Sequence, residues 1–265
     1  MTPLPPQHLR RLILQQAYRA KVGHIGSALS IVEVIAALYG GVIRAISPRD
    51  PDRDRFILSK GHGALALYAA LALKGWLSEA ALDSYCSDAS RLGVHPEHQV
   101  PGIDFSTGSL GHGLSIGVGA ALGARLAGSP RRVFVLLSDA ECNSGAVWEA
   151  VMFAAHHRLS HLTAIVDVNG QQAFGYTRHV LDLAPMARKW AAFGWAVDDV
   201  DGHDLAALSS ALSRNGDEAR PRVVLANTTF GKGVSFMERQ IAWHYVPMSD
   251  DQYTAAVAEI EGGSR

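Results

Sequence analysis

The sequence predicts an α/β protein, a doubly wound and mostly parallel sheet with helices on both faces. Three observations predict it. Residues 133–175 read VFVLLSDAECNSGAVWEAVMFAAHHRLSHLTAIVDVNGQQAFG, where two apolar runs (133–137 and 162–168) flank a helical pattern over 146–157. Further short apolar runs at 195–200 and 223–227 alternate with helical patterns at 182–193 and 204–213. Alternation with short connections favours a parallel sheet wrapped by helices. The composition, 48% hydrophobic and 18% charged, suits a chain that buries a large core.

Helical periodicity covers residues 6–19, 30–38, 63–74, 78–86 and 113–126 in the first half of the chain. The strand at 133–137, the helix at 146–157 and the strand at 162–168 follow as one β-α-β unit. Asp204 is a candidate N-cap after the turn Asp201-Gly202. A last helix is expected over 250–260, followed by a polar tail. No linker, repeat or low-complexity run interrupts residues 1–265, which read as a single domain. Strand order is not legible from these patterns.

The β-α-β unit carries chemistry at its strand ends. The first strand runs into Asp139 and the second into Asn169. In open parallel sheets, ligands bind at the carboxyl edge of the strands. Carboxylate and carbonyl oxygens suit a hard cation such as Mg²⁺, which commonly bridges to substrate phosphates. The glycine-rich stretch from Gly108 to Gly113 precedes a small-residue helix. Glycine lets backbone approach a ligand closely, and a helix N-terminus favours an anion. There are 12 histidines. His24, His62, His95 and His244 each stand beside Gly or Pro, or at a strand end or loop, where function concentrates. His156, His157, His161, His179 and His203 read as surface or satisfied core residues.

Six segments in order resemble the transketolase family, and the resemblance runs from about residue 9 to 253. They are Lys21-Val-Gly-His-Ile-Gly-Ser27, Asp54-Arg-Phe-Ile-Leu-Ser-Lys-Gly-His-Gly63, Gly93-Val-His-Pro-Glu97, Ser106-Thr-Gly-Ser-Leu-Gly-His-Gly113, residues 138–171, and Phe230-Gly-Lys-Gly-Val-Ser-Phe-Met-Glu238 with Trp243-His244. The resemblance implies thiamine diphosphate as cofactor, with Mg²⁺ (Ca²⁺ or Mn²⁺ as alternatives) held by Asp139, Asn169 and the carbonyl of Gln171. By the same resemblance, residues 54–63 form a strand and turn whose His62 touches the diphosphate. Ser27 and Ala140 lie at the cofactor, Gly108, Ser109 and Leu110 hold the aminopyrimidine, and His244 reaches the phosphate region. His24, His95 and His244 line the donor site, and Glu149 belongs to a carboxylate cluster at the subunit interface.

Full transketolases are much longer, so this chain is expected to be the diphosphate-binding half of a split enzyme. The partner would be a C-terminal subunit with the pyrimidine and C-terminal domains, in an α2β2 heterotetramer acting on sugars or sugar phosphates. The expected reaction is two-carbon ketol transfer. A non-catalytic thiamine-diphosphate-binding or regulatory subunit, an acyloin enzyme of the deoxyxylulose-phosphate-synthase kind, and a truncated or degenerate copy are the alternatives. Three departures bear on them. The usual Gly-Asp-Gly is Ser138-Asp139-Ala140, a usual Glu is Ser144, and a usual Lys is Phe230, with Lys232 as a partial substitute.

A net charge of -1 and a pI near 6.9 give no basic footprint for nucleic acid. No apolar run reaches the length of a membrane span. The N-terminus lacks the charged-then-apolar order of a signal peptide. Two cysteines make no disulfide framework, and Cys142 reads as a small buried hydrophobe. Cytoplasmic residence is expected.

Overall fold

The computed structural model describes residues 4–214 and 220–262. The end of the polar tail expected after residue 260 lies outside the described residues. The chain opens with helices α1 (Pro6–Ala20), α2 (Ile25–Ser30) and α3 (Val32–Ala37), then strand β1 (Arg55–Leu58). Helices α4 (Ala64–Leu73), α5 (Glu79–Asp83) and α6 (Gly113–Leu126) lead to β2 (Val133–Ser138). Helix α7 (Gly145–His156) crosses to β3 (Leu162–Val168). A small hairpin, β4 (Gln171–Gln172) with β5 (Gly175–Tyr176), precedes α8 (Thr177–Val180) and α9 (Met186–Ala192). Strand β6 (Ala196–Asp201), α10 (Leu205–Ser213), β7 (Arg222–Asn227) and α11 (Asp250–Gly262) complete it.

The main sheet has the order β1-β2-β3-β7-β6, and every pair in it is parallel. Its central strands are apolar because both faces are covered, as parallel sheets require. Successive side chains alternate between two cores. Phe134, Leu136, Ile165, Val224 and Ala226 face one core, built with residues of α1, α3, α4, α10 and α11. Val133, Val135, Leu137, Ala164, Val166, Val223 and Leu225 face the other, built with α6, α7 and Trp190 of α9. The doubly wound expectation therefore holds. Helix α4, ALALYAALAL, is apolar all round and almost wholly buried, as a helix enclosed by other elements must be.

Several boundaries differ from expectation for local reasons. The helix expected over 30–38 begins at Ile25, breaks at Ile31 (φ -102°, ψ 10°) and ends in a widened turn over Leu38–Val42. The helix expected over 182–193 is confined to Met186–Ala192, because Pro185 lacks an N–H and restrains the residue before it. The helix expected over 78–86 ends at Asp83, and Cys86 turns left-handed at φ 56°. Asp204 caps α10 as expected, its carboxylate accepting from the N–H groups of Ala206 and Ala207. The hairpin and α8 are too short to leave a periodic signal. Among the described residues, no helix is long and apolar enough to cross a membrane.

Candidate functional site

The carboxyl ends of β1, β2 and β3 converge on one cleft of about 180 Å³. Its walls include His24, Ser27, His62, Leu110, Ala140, Asn169, Gln171 and His244. All eight were expected at the site from the sequence. Lys60, Ser138, Gln172 and Ala173 also line it.

Three imidazoles form one group. The ring centroid of His24 lies 5.2 Å from that of His62 and 6.5 Å from that of His244, and the latter two are 6.5 Å apart. His24 is held in the left-handed region (φ 60°), a conformation that costs a non-glycine residue about 1 kcal/mol. Its N–H donates to the carbonyl of His244, which fixes the two loops together. Burial pushes all three rings below the ordinary histidine range. For His62 and His244 the next cause is the charge of Lys60, and His244 falls to about 4. These rings are therefore neutral at neutral pH, each with one donor and one acceptor nitrogen. Nδ1 of His24 and Nε2 of His244 are buried without a partner, as groups awaiting a ligand would be.

Asp139 stands where β2 ends. One carboxylate oxygen accepts the N–H of Ala140 and the other the N–H of Gly170, each at 2.8 Å. Burial and the nearby Asp167 push its pKa up to about 7. No cationic side chain among the described residues lies within ion-pair distance of it. Asp139 is not itself in the cleft wall. It lines a second cavity of about 320 Å³ beneath residues 181–187, on the other side of its turn. The side chain of Asn169 donates to Asp167 at 2.7 Å and accepts from the N–H of Gln171 at 2.9 Å. A buried carboxylate lacking a counter-ion, beside a fixed carboxamide oxygen and a carbonyl-bearing turn, fits a hard cation. Among the described residues, no three His, Cys, Asp or Glu side chains are grouped so as to hold a metal ion, so a cation here would rely on amide and carbonyl oxygens beside Asp139.

Two of the substitutions noted in the sequence, Ala140 and Phe230, fit the local backbone and packing. Ala140 has no positive φ and opens the short turn Ala140–Asn143, so a glycine is not needed there. Phe230 is fully buried, packs against Gly26 and stacks on His244. Lys232 does not take over the role expected of it: its amine faces Glu238 at 3.6 Å and does not reach the cleft.

Two expected residues stand apart. Glu149 is exposed on α7 and lines a groove with Val118, Leu122 and Phe153, away from the histidines. Nothing within this chain brings it to the reacting region, because an interface role needs groups from another chain. His95 is exposed and does not line the cleft, yet its charge helps lower His24 and His62. It packs against Gly108, where an added Cβ would sit 3.4 Å from its ring. Ser109 is exposed beside Leu110 at the cleft mouth.

Sequence reasoning missed Lys60, Glu141, Asp167 and Thr228. Glu141 is almost completely buried and accepts from the Ser59 hydroxyl, from Gly111 N–H at 2.7 Å and from Ser138 N–H at 3.3 Å. It ties the glycine-rich loop to β1 and β2. The available signal was a charged residue inside a buried run, as at Asp167 in LTAIVDV, since a buried charge demands a partner.

Comparison with known proteins agrees with this geometry. Residues 6–261 match the family model described as transketolase, thiamine diphosphate binding domain. The chain is 42% identical to a 6-deoxy-6-sulfo-D-fructose transketolase subunit of Clostridium sp. (strain MSTE9), covering 96% of this chain and 94% of that one. It is 39% identical to an apulose-4-phosphate transketolase subunit of Phocaeicola vulgatus, covering 95% and 90%. The transketolase structure from Campylobacter jejuni superposes with a TM-score of 0.90 at 26% identity, covering 97% of this chain and 42% of that one. The chain thus spans about two fifths of the solved transketolases it matches.

Proposed function

Because the chain belongs to the transketolase family, through its thiamine-diphosphate-binding domain, we propose that it is the diphosphate-side subunit of a two-chain transketolase. On this reading residues 1–265 are one domain, and the pyrimidine-side and C-terminal domains reside on a partner subunit in an α2β2 assembly. The reaction is transfer of a two-carbon ketol unit from a ketose or its phosphate to an aldose or its phosphate. Two unpaired cysteines, Cys86 and Cys142, suit the reducing cytoplasm, where we place the assembly.

The observation that carries the reading is the buried, cation-free Asp139 beside Asn169 and Gln171, at the edge of a cleft with three neutral histidines. Asp139, the Asn169 carboxamide oxygen and the Gln171 carbonyl hold Mg²⁺, and Ala140, Ser27 and His62 bind the phosphate end. When bound, thiamine diphosphate supplies the electron sink that accepts the two-carbon unit. His24 and His244, neutral and partly unpartnered, donate to and accept from donor-sugar hydroxyls and move protons there. Gly108, Ser109 and Leu110 hold the aminopyrimidine at the cleft mouth. His95 completes the donor side, and Glu149 acts across the subunit interface. Ser144 and Phe230 are the departures that favour a non-catalytic subunit, and the likeness to relatives named as transketolase subunits supports the catalytic reading over it.

A ketol-transfer assay on the chain co-expressed with its partner tests this. Turnover by the mixture and by neither chain alone is expected. A mixture that binds thiamine diphosphate yet transfers no two-carbon unit from any ketose tried contradicts it.

A further inference from the structure

Beneath the cleft lies an ion pair with no exposed surface at all, Lys60 Nζ to Asp167 Oδ2 at 2.6 Å. Burying two charges costs several kcal/mol per ion before their attraction is counted, and an apolar pair of similar volume is often as stable. Stability alone therefore does not explain this pair. Its partners do. The Lys60 ammonium also donates to the Ser27 carbonyl at 3.1 Å and contacts the Ser30 hydroxyl at 3.4 Å. Asp167 in turn accepts from Ser30 Oγ at 2.8 Å, from Asn169 Nδ2 at 2.7 Å and from the Thr228 hydroxyl. One pair thus joins α2, β1, β3 and the end of β7.

We propose that Lys60 and Asp167 are positioning residues: the pair orients the Asn169 carboxamide and fixes one positive charge under the histidine group. A carboxylate only accepts, so Asp167 dictates which end of the Asn169 amide faces it. The nitrogen is taken up there, and the oxygen is left to the turn at Gln171, on the cation side. Without Asp167 the amide keeps only the Gln171 N–H to hold its oxygen, and its nitrogen loses the acceptor that fixes the other end. The positive charge has the second effect. Lys60 lines the cleft together with His24, His62 and His244. Its charge lowers all three rings, after burial in each case and after His95 for His24. The other charged groups acting on these rings are His95 and the rings themselves, all of which become positive only on protonation. Lys60 is thus the standing charge that adds to burial in holding them neutral.

The inference rests on the proposed function only for the identity of the ligand, so the test has a ligand-free arm. Lys60→Met alone strands a buried carboxylate and risks unfolding. The double variant Lys60→Met with Asp167→Leu removes both charges and keeps the volume. Ring resonances of His24, His62 and His244 are titrated by NMR in the full chain without cofactor, and Mg²⁺-thiamine diphosphate affinity is measured with the co-expressed partner. In the double variant all three rings should titrate at higher pH than in the wild type. Affinity should fall about 10–100-fold, the usual effect of losing a group that holds a metal ligand. Lys60→Arg, which keeps the charge, should restore the wild-type titrations. Rings of the folded double variant that titrate as in the wild type overturn the electrostatic role. Cofactor affinity within about two-fold of wild type in that variant overturns the orienting role. A wild-type complex that binds no cofactor refutes the proposed function instead, and the ligand-free titrations still decide the role of Lys60.

Discussion

The ring of Phe230 lies on that of His244, with centroids 4.4 Å apart and planes inclined by 29°. Phe230 is fully buried, and a Cβ added to Gly26 would sit 2.1 Å from its ring edge. Glycine at 26 therefore makes room for the phenyl ring, and the phenyl ring supports the imidazole. Phe230→Ala should cost about 3–5 kcal/mol of stability through the cavity it leaves. Phe230→Leu should cost less than about 1.5 kcal/mol yet still weaken cofactor binding, because volume is mostly kept and the flat support is lost. Denaturant unfolding and calorimetry check both. Wild-type cofactor affinity in the leucine variant would dissociate the stack from function.

His244 gives stability a defined pH dependence. Folded, it titrates near 4, and unfolded it returns to about 6.5. Between those values the unfolded chain binds more protons, so acidification favours unfolding. The contribution is fully present above about pH 6.5 and is lost as pH falls to about 4, roughly 3 kcal/mol in all. Asp139, pushed up to about 7, acts in the opposite sense over part of the same window. Comparing wild type with His244→Gln cancels that and other shared groups. The difference in unfolding free energy should shrink as pH falls from 6.5 to 4. A difference that stays constant with pH would show that His244 is not held neutral.

Asp54 predicts a purely structural loss. It has no exposed surface, and it accepts from the backbone N–H groups of Arg44 and Arg132 and from both guanidinium groups. Burial alone would raise its pKa, but these partners hold it below the ordinary carboxylate range. It ties the start of β1 to the start of β2, far from the cleft. Asp54→Ala should destabilise by about 1–3 kcal/mol, because the nearly buried Arg132 guanidinium and two backbone N–H groups lose their acceptor while the exposed Arg44 keeps water and the Pro130 carbonyl. Cofactor affinity per folded molecule, measured by calorimetry, should not change.

Glu141 predicts a local loosening. Glu141→Ala removes the acceptor of the Gly111 N–H, and that glycine sits at φ 90° in the loop over the cleft. A loss of about 1–3 kcal/mol is expected for the stranded donors. Amide hydrogen exchange at Gly111 should accelerate well beyond the average of the chain. Unchanged protection there would remove Glu141 from the loop's support.

Much of this was legible in the sequence, for identifiable reasons. The sheet showed itself through buried strands such as 133–137 and 162–168, whose apolar runs have no other use. Asp139 and Asn169 showed themselves because a polar residue at a strand end interrupts such a run. The order β1-β2-β3-β7-β6 was not legible, since pairing is decided by packing between distant segments. Nor was the break at Ile31, where the backbone of one residue overrides an unbroken apolar pattern. Lys60 stood in plain view beside His62, but its burial depends on Asp167, 107 residues away. Lys232 misled because its position in the chain says nothing of where its amine points.

The most direct test of the account is a calorimetric titration of thiamine diphosphate into the chain with its co-expressed partner, with Mg²⁺ and again after chelation, for wild type and Asp139→Ala. The account predicts wild-type binding that disappears on chelation, and no binding by Asp139→Ala even where its melting temperature is unchanged. Near-wild-type affinity in Asp139→Ala would contradict the assignment of this cleft and its cation site.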